Sequence, residues 1–204
     1  MARPVGADAE LTKQRVLGAA AELFAHHGEG QTSMRQIAGE AGVSLGTVHH
    51  YFGSKAKLYD ACIEAMYEEL GALRDGLLGE FGAGKPTPKI VEEGIRRAFR
   101  FVRDHQSAVR LIMRDVVDVG EVDPERRKRF VKPALDHAVA LLQPILRREE
   151  LEVRLTLQSF VNVLVRYAIS TEAELAHMTA LPKKKSLGAV EDHLVKLAWT
   201  MIQS

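Results

Sequence analysis

Between residues 33 and 57, in SMRQIAGEAGVSLGTVHHYFGSKAK, hydrogen-bonding side chains crowd a short stretch: Ser33, Arg35, Ser44, Thr47, His49, His50, Tyr51 and Lys55. Such types could serve catalysis, metal binding or recognition, and spacing decides among these. No Ser/His/Asp or Cys/His set stands in a recognisable frame, no glycine loop suits a phosphate cradle, and no His/carboxylate spacing suits a metal. Neither an enzyme nor a cofactor or metal protein is expected. What the set suits is contact: hydroxyls, imidazoles and cations that meet base edges and phosphate oxygens.

The elements that must position these groups are legible around them. Ser33 with Gln36 three residues on forms a capping box opening a helix. Ile37, Ala38 and Ala41 give that helix a short apolar face, and Gly42 stops it where a left-handed residue is wanted. Ser44 is a second N-cap, followed by Leu45, Gly46, Thr47, Val48, His49, His50, Tyr51 and Phe52. A helix this short does not sustain itself in isolation. Small Ala38, turn-forming Gly42 and apolar Val48 hold the places where two helices cross closely, which is the arrangement of a DNA-reading helix-turn-helix.

Three blocks in order, VLGAAAELFAHHG (16–28), TSMRQIAGEAGVS (32–44) and VHHYFGSKAKLYDA (48–61), resemble the N-terminal domain of the TetR family of bacterial transcriptional repressors. The resemblance implies a first helix near residues 10–27, a helix 34–41 lying across the DNA backbone and a helix 45–51 entering the major groove. It implies phosphate anchoring by Ser33, Arg35 and Lys55. Ser44, Leu45, Gly46, Thr47, His49 and His50 are placed at or near the groove, with Tyr51 beside them. The family commonly carries Tyr-Tyr-His-Phe where this chain has His49-His50-Tyr51-Phe52. An imidazole therefore stands where a phenolic hydroxyl usually meets a phosphate.

Composition agrees with a helical, water-soluble chain. At 204 residues and 46% apolar, one or two modest cores can be buried. There is neither an apolar run near membrane-spanning length nor a signal-peptide core, so a cytoplasmic protein without membrane association is expected. The single Cys62 excludes an intramolecular disulfide and reads as a small buried hydrophobe. Net charge is only +1, and residues 1–60 balance six Lys/Arg against six Asp/Glu. Residues 33–57 are locally basic, with Arg35, Lys55 and Lys57 against Glu40 alone. Such a chain needs two copies acting together to bind DNA well.

Along the rest of the chain the period is helical and no strand alternation appears, so the fold class is all-α. The expectation is an N-terminal three-helix helix-turn-helix domain, residues 9–56, then a C-terminal helical bundle, residues 57–204, with about nine helices altogether. Residues 1–8 read as a loose arm and the first helix as 12–27. A long helix follows from 54 to 81, then a linker at 82–88 and helices at 88–105 and 107–118. A pattern from 124 to 148 is broken or kinked at Pro133 and Pro144. Last come helices 150–178 and 186–202, joined by a basic loop, 181–185. Phe99, Met113 and Tyr167, with Arg110, Arg114, His137, Asn162 and Arg166, are the candidates for an effector cavity. Phe160, Val161, Leu164, Leu194, Leu197 and Met201 are the candidates for a surface between two copies. The expected partners are therefore a palindromic double-stranded operator, a small-molecule effector and a second copy of the chain. Repression, activation and a helical binding protein with degenerate DNA contacts all remain compatible with these residues.

Overall fold

The computed structural model describes residues 5–81 and 87–203, and among these no strand occurs. The chain order is α1 (Val5–His27), α2 (Met34–Glu40), α3 (Leu45–Phe52), α4 (Lys55–Phe81), α5 (Pro88–Asp104), α6 (Gln106–Val119) and α7 (Pro124–Arg126), then a π-helical turn (Arg127–Val131), α8 (Lys132–Leu146), α9 (Glu150–Ala168), α10 (Glu172–Thr179) and α11 (Lys183–Gln203). Most of the expected linker, residues 82–86, lies outside the described residues, as does Arg3.

Four boundaries differ from the sequence reading, each for a local reason. The first helix starts at Val5, because Thr12 does not cap it; its hydroxyl donates back to the Asp8 carbonyl at 2.7 Å inside the helix. The expected helix 150–178 is two helices, since Thr171 accepts from the Glu174 N–H and opens α10. The expected basic loop is in part helix: Pro182 O accepts from the Lys185 and Ser186 N–H groups, so Lys183–Lys185 form the first turn of α11. Pro133 has no N–H for the Arg129 carbonyl, and the ladder widens just before it, with Lys132 N–H donating to Arg127 O. These breaks turn the nine expected helices into eleven among the described residues.

The described residues cluster into two compact units, and the chain passes between them within α4, at the α5–α6 corner and between Val122 and Asp123. One unit holds residues up to Glu69 together with Ser107–Val122. Its core is built from α1 (Val16, Ala20, Phe24), α2 (Ile37, Ala38), α3 (Val48), α4 (Leu58, Cys62, Ile63) and α6 (Leu111), all buried. Phe24, Ile37, Val48 and Leu58 are fully inaccessible, and each such side chain stabilises the unit by about 1.5–3 kcal/mol. Burial pushes the Cys62 thiol up to about 12, against a weaker opposing backbone hydrogen bond, so it stays protonated.

The other unit holds Leu70–Gln106 and the chain from Asp123 on. Val91, Phe99 and Val102 of α5 pack with Val153, Leu164 and Ala168 of α9 and Val190, Leu194 and Ala198 of α11, all buried. Arg103 donates to the carbonyls of Ala168 and Ser170, and Gln106 donates to Ala168 O at 2.7 Å, closing the C-terminal end of α9. Between α5 and α11 lies an ion cluster. Arg96 meets Glu92, Glu191 and Asp192, and Arg100 meets Glu191 at 3.0 Å. Burial opposes ionisation of Glu191, but donation from Arg100 and Arg96 outweighs it and holds the carboxyl below its ordinary range. No described helix is long and apolar enough to cross a membrane.

Candidate nucleic-acid interface

The capping box read from sequence is formed at both ends: Gln36 N–H donates to Ser33 Oγ at 3.2 Å, and Ser33 N–H donates to Gln36 Oε1 at 2.9 Å. The Ser33 hydroxyl also donates to Gln36 Oε1 at 2.8 Å, so both donors of this candidate phosphate anchor serve the helix start. After α2, Gly42 takes φ +65° and lets the Val43 N–H reach back to Ala38 O at 3.0 Å. The chain then reverses into α3. Ser44 caps it, accepting from the Thr47 N–H at 3.0 Å, and the two hydroxyls lie 2.8 Å apart.

Only one side of α3 is used for packing. Val48 is fully buried, whereas Ser44, Gly46, His49 and His50 are exposed and Leu45, Thr47 and Tyr51 are half-buried. His49 Nδ1 lies 2.8 Å from Gly53 O. A carbonyl can only accept, so Nδ1 carries the proton and Nε2 faces outward as an acceptor on the neutral ring. The His50 and Tyr51 rings meet edge-on at 5.2 Å. Lys13 of α1 places its ammonium 5.7 Å from the Tyr51 ring centre. That cation was not among the residues expected at this surface, and nothing local to Lys13 in the sequence signals its position.

Arg35 is exposed on α2, as expected for a phosphate contact. Lys55 is half-buried, and its Nζ donates to the Glu29 carbonyl at 2.6 Å. Its ammonium therefore has one donor committed to the turn after α1 and two left.

The effector candidates are divided between the two units. Arg110, Met113 and Arg114 belong to the first unit, while Phe99, His137, Asn162, Arg166 and Tyr167 belong to the second. Phe99 is wholly inside the core. Arg114 donates to Phe24 O and Ala25 O, Arg166 binds Ser170 and Glu174, and Asn162 accepts from Gln158. Arg110 and Met113 are half-buried, His137 is exposed, and Tyr167 stands edge-on to His193 at 6.1 Å. Of the six candidates for the surface between copies, Leu164 and Leu194 are spent on the chain's own core. Phe160, Val161, Leu197 and Met201 keep accessible area, and α9 adds Leu151 and Leu155, 68% and 60% exposed.

Residues 16–62 match the model for bacterial regulatory proteins of the tetR family. The regulator BetI of Agrobacterium fabrum is 36% identical over 80 residues, covering 39% of this chain and 38% of that protein. The chain spans only between 33% and 42% of the length of the first curated relatives it matches. Among solved structures, a TetR-like regulator from Rhodococcus sp. RHA1 shares the fold with a TM-score of 0.58 at 22% identity, over 92% of this chain and 93% of the other. FadR of Bacillus subtilis, solved in complex with stearoyl-CoA, does so with a TM-score of 0.59 at 20% identity, over 90% and 96%. With a capped helix pair that leaves one face of α3 outward and a family model laid over that same pair, residues 16–62 are the N-terminal domain of the tetR family of bacterial regulatory proteins.

Proposed function

We propose that the protein is a homodimeric transcriptional repressor, released from a palindromic DNA operator by a small-molecule effector. Residues 9–56 read the DNA in this proposal, and residues 57–204 carry effector binding and dimerisation. The observation that carries it is the two-sidedness of α3, with Val48 fully buried and His49 and His50 exposed. One such helix reaches only a few base pairs, and each good contact discriminates by about 1–3 kcal/mol. Two copies on a palindrome supply the remainder.

The apolar area left on α9 by Val161, Leu151 and Leu155, with Phe160, Leu197 and Met201, supports a four-helix contact between copies. The stearoyl-CoA bound by the similarly folded FadR supports an effector with a long apolar part and an anionic end. Whatever its identity, the effector must bind the DNA-incompetent arrangement better, because equal affinity for both arrangements shifts nothing. Selection of bound fragments from random DNA tests the proposal. A two-fold symmetric consensus is expected, and a solitary half-site or no enrichment refutes it.

A further inference from the structure

The last turn of any helix leaves four carbonyls without partners, at the negative end of its dipole. In α1 the last carbonyls are those of Phe24, which already accepts the Gly28 N–H at 2.8 Å, and of Ala25, His26 and His27 beyond it, immediately before the turn that leads to Ser33 and the reading pair. Side chains from three separate places converge there. Arg114 of α6 donates from Nη1 to Phe24 O at 3.3 Å and from Nη2 to Ala25 O at 3.1 Å. Lys55 at the start of α4 donates to Glu29 O. Thr32, 2% exposed, shares its hydroxyl between Gly28 O at 2.8 Å and Leu23 O at 3.3 Å.

Gly28 completes the joint. Its φ of +80° turns the chain out of α1, and a Cβ there would lie 3.1 Å from Arg114 Nη1. Glycine is thus favoured by the backbone at this position, and any Cβ there would also push the guanidinium aside by a few tenths of an ångström. Thr32 is followed at once by the N-cap of α2, and α2 and α3 are joined by residues 41–44, of which Ala41, Gly42 and Val43 donate their N–H groups back to α2 carbonyls. Where residues 28–32 sit on the end of α1 therefore decides where α3 points.

We infer that Arg114 is a positioning residue for DNA binding: it touches no DNA, and it holds the α1–α2 turn, and through it α3, from a helix outside the contiguous helix-turn-helix segment. This reassigns Arg114 from effector contact to presentation of the reading head, and makes α6 a structural part of that head. The inference rests on the proposed DNA reading only for its affinity consequence; the hold on the turn is independent of it.

The test compares Arg114→Ala and Arg114→Lys with the unaltered full-length chain by amide hydrogen exchange and by titration of the duplex that the unaltered chain enriches. Arg114 is exposed, and the protection of amides within α9 reports in the same experiment that each variant is folded. Arg114→Ala should speed exchange several-fold at Gly28 and Thr32 while amides within α9 keep their protection. It should also weaken duplex binding about three- to tenfold, with an unchanged salt slope. Arg114→Lys, which keeps the charge but can no longer fork to two carbonyls, should fall between. Unchanged exchange at the turn overturns the inference. So does a salt slope lowered by about one, which would mean a direct phosphate contact. If the unaltered chain enriches no duplex, the DNA reading fails while the exchange comparison still decides the hold on the turn.

Discussion

His49 and Lys55 both entered as groups that reach DNA, and each is constrained by a carbonyl of its own chain. On the neutral ring, the Gly53 carbonyl leaves the other nitrogen of His49 to accept, which suits an amino group of adenine or cytosine in the major groove better than a phosphate. The Glu29 carbonyl takes one of three ammonium donors on Lys55. The proposed phosphate contact uses the others. Lys55→Ala should therefore lower affinity nearly uniformly across sequences and reduce the salt slope by about one. Lower affinity with the slope intact, in binding measured over a salt series, would assign Lys55 to the turn alone. Ser44, Gly46 and Thr47 were legible because caps and short helices are local. The Glu29–Lys55 and Phe24–Arg114 contacts were not, since they join residues 26 and 90 positions apart and carry no period.

Helix starts were readable where a short polar residue stands alone ahead of a short helix, as at Ser33 and Ser44. The missed start at Thr171 had the same signature, Thr-x-x-Glu with Glu174, but it lay inside an apolar pattern that continued through it. At the far end of α10, Ala180 sits at φ +53°, a left-handed conformation that costs a side chain about 1–2 kcal/mol. Ala180→Gly should stabilise the protein by about 1 kcal/mol, seen as a melting temperature about 2–4 °C higher. No gain would mean that the backbone there carries no strain. The α5–α11 ion cluster gives a pH-dependent expectation. Because Glu191 is held below its ordinary value of 4.5, its contribution is complete above that value and drains away as pH falls through the folded one. In urea unfolding at neutral pH, Glu191→Ala should cost about 1–3 kcal/mol. The gap between the two proteins should close on acidification. A constant gap would show that packing, not charge, accounts for the loss.

For the whole molecule the open quantity is the number of copies. A single chain leaves Leu155 and Val161 60% and 48% exposed on α9, apolar area that the proposed second copy would cover. Leu155→Lys with Val161→Lys should leave the fold intact, since both side chains already face water. The double variant should halve the mass measured by light scattering and abolish tight operator binding. An unchanged dimer would move the interface elsewhere. The all-α class and the reading pair were visible in sequence, while the grouping of α6 with that pair depends on contacts that only folding creates. Everything at this scale serves one claim: the outward face of α3 reads bases. Selection from random DNA should therefore be repeated with Thr47→Val and with His50→Ala. Each variant should relax or change preference at one pair of symmetry-related positions, with the rest of the consensus kept. Weaker binding to an unaltered consensus would contradict it.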